Sequence, residues 1–132
     1  MSGVAITRYL LANDATLIAV VPADKIKAGV VPINTTLPAI SIRQISGIEH
    51  EIIRRGSNQL VTDLVQITVL SSTYPQQKSI MNLIRTALPG TRGTVNGFAV
   101  DSITPESDGP DFYNEDPVIY EQSIDYMIRF IR

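Results

Sequence analysis

From Leu60 to Leu70 the chain alternates, with Val61, Asp63, Val65, Ile67 and Val69 against Thr62, Leu64, Gln66, Thr68 and Leu70. That period of two, rich in β-branched residues in its second half, predicts a strand. The same period returns from Val118 to Ile131, where Tyr120, Gln122, Ile124, Tyr126, Ile128 and Phe130 oppose Ile119, Glu121, Ser123, Asp125, Met127, Arg129 and Ile131. A long final strand is expected there. Ile26, Ala28 and Val30 alternate with Lys25, Lys27 and Gly29 until Pro32 closes the run. Between Ala39 and Ser46, Ile40 and Ile42 share a face but Ile45 falls on the other, a phase slip that predicts a bulge or bend. Asn96-Gly97, flanked by Thr94-Val95 and Phe98-Ala99-Val100, predicts a type I′ hairpin, because both turn residues tolerate a positive φ.

Two segments follow the helical period instead. Val4, Leu11, Leu17, Ile18 and Val21 lie among Arg8, Asn13, Asp14 and Thr16 before Pro22. Asn13 and Asp14 both favour caps, so two short helices with a new N-cap at either residue fit as well as one long helix. After Ser71, Ser72 and Thr73, Pro75 suits a first helical turn, where its missing N–H costs nothing. Ile80, Leu83, Ile84, Ala87 and Leu88 then form an apolar stripe against Gln76, Gln77, Lys78, Asn82 and Arg85, ended by Pro89-Gly90.

Two stretches carry neither period well. Residues 47–59 hold Glu49, His50, Glu51, Arg54 and Arg55 with only Ile48, Ile52 and Ile53 apolar, and they read as an exposed arm or long hairpin tip. Residues 101–117 hold Asp101, Glu106, Asp108, Asp111, Glu115 and Asp116 with no Lys or Arg. With Pro105, Pro110 and Pro117, this second stretch reads as an irregular acidic loop. The sequence of elements predicts a single α+β domain over 1–132, with a mainly antiparallel sheet and helices packed on one face.

Composition narrows the function. The 132 residues suit one domain. Eleven Lys and Arg against thirteen Asp and Glu give a net charge of -2, so no uniform positive field attracts nucleic acid or an anionic membrane. The absence of cysteine removes disulfides, thiolate catalysis and thiolate-bound zinc. The first residues show no basic then apolar leader, and no apolar run approaches a bilayer span. With 44% hydrophobic and only 18% charged residues, the composition favours surface devoted to protein contacts.

Four stretches, in this order and spacing, resemble the tail-completion or tail-terminator proteins of siphovirus-like phages and prophages. They are Leu10-Leu11-Ala12-Asn13-Asp14-Ala15-Thr16-Leu17 with Val20-Val21; Leu37-Pro38-Ala39-Ile40-Ser41-Ile42 running to Ile45-Ser46-Gly47; Val65-Gln66-Ile67-Thr68-Val69 followed by Ser72-Thr73-Tyr74; and Ile84-Arg85-Thr86-Ala87-Leu88-Pro89-Gly90. The segment from Tyr120 to Tyr126 looks like that family's last strand. The resemblance covers nearly the whole chain and implies a non-catalytic virion protein, made in the host cytoplasm. It implies a hexameric ring that binds the end of the tail tube, stops its polymerisation and faces the head-tail connector, while genomic DNA passes through the lumen. It implies no cofactor, no membrane and no catalytic residue.

The remaining chemistry is weighed on its own residues. Hard cations favour oxygen ligands such as those of the acidic stretch, yet Asp108-Gly109-Pro110-Asp111 lacks the alternating ligands and final Glu of a calcium loop. A solvated loop or an inter-subunit contact through Asp108, Asp111, Glu115 and Asp116 is expected rather than a metal site. His50, between Glu49 and Glu51, lacks a second histidine or a cysteine to complete a nucleophile-base pair, and all three are expected at an oligomer or partner interface instead. Arg43, Arg54 and Arg55 are expected to meet a neighbouring subunit or the tube rather than DNA, whose passage tight binding would impede. Two other functions compete: a head-tail connector or neck protein, and a small metal-dependent enzyme using the acidic stretch.

Overall fold

The computed structural model describes residues 2–29, 31, 36–50, 60–88, 93–115 and 118–131. Helix α1 (Ser2–Ala12) and the short α2 (Ala15–Ile18) come first, then a 3-10 turn at Ala23–Lys25 and strand β1 (Ile26–Ala28). Strands β2 (Ala39–His50) and β3 (Leu60–Ser71) precede helix α3 (Tyr74–Ala87). Strands β4 (Gly93–Val95), β5 (Phe98–Asp108), β6 (Phe112–Glu115) and β7 (Val118–Ile131) complete the order. Among the described residues the strands form one sheet, β1-β2-β3-β7-β5-β4, with β6 also paired to β7. Every pairing is antiparallel except β1 with β2. The expected α+β architecture is present.

The centre of the sheet follows from its alternation. Cross-strand pairs Ile67 with Ile124, Val65 with Tyr126 and Val61 with Phe130 place the apolar sets of β3 and β7 on one face. Ile40 and Ile42 join them from β2, opposite Val69 and Ile67. On that face lie the buried Ile6 and Leu11 of α1 and Ile80, Met81 and Ile84 of α3. Both long helices therefore cover one side. Fully burying a side chain of this size stabilises by roughly 1.5–3 kcal/mol, which makes this layer the main source of stability. Phe130 also meets Phe98 edge to face, at 5.7 Å between centroids.

Local signals resolve as follows. Asp14 is the N-cap of α2, and its carboxylate accepts the Leu17 amide at 3.0 Å. At the corner before α3, Thr73 occupies the cap position without a side-chain cap bond. Ser71 organises this corner instead: its hydroxyl accepts the Thr73 amide and donates to Gln76 Oε1 at 2.6 Å. The register of β2 shifts between Gln44 and Ser46, which leaves Ile45 as the bulged residue, where its alternation slips. The Asn96-Gly97 hairpin is formed, with φ of 49° and 83°.

Two expectations are corrected. The stretch expected as an irregular loop over 101–117 is mostly strand where it is described: β5 runs to Asp108 and β6 covers Phe112–Glu115, both laddered onto β7, while Asp116 and Pro117 lie outside the described residues. The long β7 supplies a continuous ladder, and β5 accommodates Pro105 and its polar residues through two register shifts at an edge. Of the arm expected over 47–59, residues 47–50 are strand instead, because β2 continues through Gly47 to His50, pairing with β3 from Asp63 to Leu60. Residues 51–59 lie outside the described residues, as do Val30 and the Pro89-Gly90 stop.

Candidate functional site: the uncovered sheet face and its charged edges

With both long helices on one side, the other side of the sheet is open among the described residues. Ser41, Arg43, Gln66, Thr68, Glu121 and Ser123 project there in register. Arg43 Nε donates to Gln66 Oε1 at 2.8 Å, and the Thr68 and Ser123 hydroxyls lie 2.9 Å apart. With Phe112 and Leu70 they floor a shallow depression of about 540 Å³. Towards the far ends of β3 and β7 the same face carries more apolar residues, with Leu60, Leu64, Met127 and the exposed Ile131 on either side of the Thr62–Arg129 pair. This face joins Arg43 to Gln66 and Thr68 to Ser123 and also presents apolar area, which suits contact with another protein surface.

The β5–β6 edge is acidic and fastened to α3. Arg85 meets Asp108 at 2.7 Å, and Lys78 meets Asp111 at 2.8 Å. Asp111 also accepts the Tyr74 hydroxyl at 2.8 Å, while Lys78 reaches Gln122 Oε1 at 2.7 Å. The Tyr74 ring packs edge-on against Tyr120, which touches Tyr113. The Lys78 ammonium, then the Tyr74 hydroxyl, hold the Asp111 carboxyl below its ordinary range. The bond to Asp111 raises Lys78 in turn, partly opposed by desolvation.

Between this edge and α3 a second hollow, of about 490 Å³, is lined by Arg85, Pro105, Glu106, Asp108 and Tyr126. Tyr126 is fully buried, and its hydroxyl has no hydrogen-bond partner among the described residues. Burial pushes that phenol's pKa up. Among the described residues no group of three His, Cys, Asp or Glu comes together as metal ligands, and no helix is long and apolar enough to cross a membrane.

The predicted site residues therefore separate. Arg43 stands exposed on the open face near the free side of β2, and Asp108, Asp111 and Glu115 are exposed on the opposite edge. Glu49 and His50 end β2, their backbones opposite Val61 and Leu60. Glu51, Arg54, Arg55 and Asp116 lie outside the described residues. The residues missed by sequence reasoning are Tyr74, Lys78 and Arg85. They recur at offsets of four and seven along α3, a helical stripe that could have been matched to the acids of 101–117.

Residues 5–131 match the family described as Tail completion protein gp17. No curated protein matches the chain. In fold it is similar to a chain of a solved structure described as "Virion of native gene transfer agent (GTA) particle", with a TM-score of 0.70 at 12% sequence identity, over 99% of this chain and 97% of that one.

Proposed function

This chain belongs to the tail completion protein gp17 family, which makes it a structural component of the phage tail, and from that premise we propose that it forms a ring capping the tail tube. The observation that carries the reading is the extent of the family match, which runs from α1 to the end of β7. The shared fold with a chain of a gene transfer agent virion supports it.

Capping needs no chemistry. A ring complementary to the last tube ring, but lacking the surface that recruits another, halts polymerisation. Ring symmetry multiplies a modest contact into a tight one, since engaging one subunit places its neighbours at high effective concentration. The open sheet face offers the polar and apolar area for such contacts. The opposite side of the ring then meets the head-tail connector, and DNA passes through a lumen without a specific site. The protein acts as a structural part rather than an enzyme, resident where tail joins head.

A cap acts below stoichiometry, because one ring silences one tube end. Tube protein polymerising with increasing amounts of this chain is expected to give progressively shorter tubes at ratios far below one chain per tube subunit. Unchanged tube lengths at every ratio contradict the reading. Binding to the connector alone assigns the chain to the neck.

A further inference from the structure

The two outer edges of the sheet are opposite in charge. Beside β1 and the outer side of β2 lie Arg8, Lys25, Lys27 and Arg43 among the described residues, with Asp24 beside them and Glu49 further along β2. Arg8 is tied to this edge, its Nε donating to the Ile26 carbonyl at 3.0 Å. On the β5–β6 edge Asp101, Glu106, Asp108, Asp111 and Glu115 are all exposed. Lys78 and Arg85 neutralise Asp111 and Asp108. Asp101, Glu106 and Glu115 have no ion pair among the described residues.

Apolar exposure follows the same division. Ile45 and Ile48 stand out on β2 at 46% and 57%, and Phe112 and Tyr113 on β6 at 60% and 53%. Each edge thus presents large apolar side chains beside charges that are mainly of one sign, the composition of an interface rather than of a solvated rim.

We propose that the chain binds a second copy of itself head to tail, the basic β1–β2 edge of one copy seating on the acidic β5–β6 edge of the next. A partner of one charge would account for one edge; a second copy accounts for both. The contact is heterologous, joining different surfaces of identical chains, and such contacts close into rings when the rotation between copies allows. The inference rests on the ring reading and names the surfaces that build it.

Side chains make this contact rather than a continued strand ladder. Past the Gly29 amide bonded to the Ile42 carbonyl, no described strand pairs with the outer side of β2. Pro105 and the two register shifts of β5 keep the acidic edge from accepting a strand. Charge sets the register and the choice of edge, and the exposed apolar residues supply burial. Pairs of this kind weaken as salt screens them.

The test uses two full-length variants, Lys27→Glu with Arg43→Glu, and Glu106→Lys with Glu115→Lys, with absolute mass measured by light scattering across a concentration series, alone and with tube ends. Matching thermal melts of the variants and wild type establish that both variants fold. Each variant is expected to weaken self-assembly by about ten-fold or more, because like charges then face each other. An equimolar mixture is expected to assemble again, since every contact between the two variants is once more complementary. Wild-type rings with both variants assembling normally overturn the edge assignment and leave the ring reading standing. Failure of the mixture to recover overturns the assignment as well. A wild-type chain that stays monomeric even with tube ends overturns the ring reading itself.

Discussion

The carboxylate of Asp63, in the interior of the sheet, accepts the backbone amide of Gly3 at 3.0 Å. A strand side chain thereby satisfies one of the orphan donors at the start of α1 and places negative charge against the positive end of the helix dipole. Asp63 is only 4% exposed, so this bond also offsets the cost of burying its charge.

Asp63→Ala is therefore expected to destabilise by about 1–3 kcal/mol, since it leaves the Gly3 amide buried without an acceptor. Asp63→Asn, which keeps an acceptor, is expected to lose less. A Cβ on Gly3 would lie 2.6 Å from Asp63 Oδ2 and 2.7 Å from Asp63 Cβ, so Gly3→Ala displaces helix from strand and destabilises too. Urea denaturation measures all three. Wild-type midpoints for Asp63→Ala would show that α1 does not depend on this bond.

Tyr126→Phe has the opposite expectation. The phenol is desolvated without a hydrogen bond among the described residues, a state that costs about 1–3 kcal/mol, and phenylalanine keeps the ring. Stability should hold or rise in a thermal melt. A loss of more than about 1 kcal/mol would reveal that the hydroxyl has an acceptor.

The Lys78–Asp111–Tyr74 link sets a pH window. Asp111 is held low by Lys78 and then by Tyr74, so its contribution is present above the ordinary carboxylate value and is lost as pH falls through the depressed one. Lys78 is raised chiefly by Asp111, so its contribution is complete below the ordinary lysine value and is lost as pH rises through the raised one. Carboxyl and ammonium NMR titrations should show both displacements, and Lys78→Met should return Asp111 towards its ordinary range. An unmoved Asp111 midpoint in that variant would contradict the assignment.

Gly97 has a φ of 83° as the second residue of the β4–β5 turn, a region that costs an L side chain roughly 1–2 kcal/mol. Gly97→Ala is expected to lower stability by about 1 kcal/mol. Asn96→Ala, at φ 49°, should do so as well. Equal melts for wild type and both variants would mean the turn relaxes without cost.

Where one face of a strand is buried, the sequence stated its role directly. The alternation of Val65, Ile67 and Val69 and of Ile124, Tyr126 and Ile128 survives as the helix-covered face, and the slip at Ile45 is the bulge. The acidic stretch carries no strand signal because β5 and β6 lie at the edge and are largely exposed, so burial imposes no alternation on them. Parallel pairing of β1 with β2 leaves no mark on three residues. The candidate site was legible as residue types, Arg43 on one side and Asp108, Asp111 and Glu115 on another. Its organisation was not, because the pairing of Lys78 and Arg85 with the acids depends on how α3 lies across the sheet. Asp63 was visible as a lone acid among apolar positions, and only the tertiary approach of α1 reveals its partner.

The most direct measurement of the central claim is the position of the chain in assembled particles. A tagged copy, supplied to a phage lacking its own, can be located by gold-labelled electron microscopy. The account predicts label confined to the junction of tail and head, with tubes of defined length, and tubes of uncontrolled length without the protein. Label along the whole tube, or tubes of normal length and joining in its absence, would contradict it.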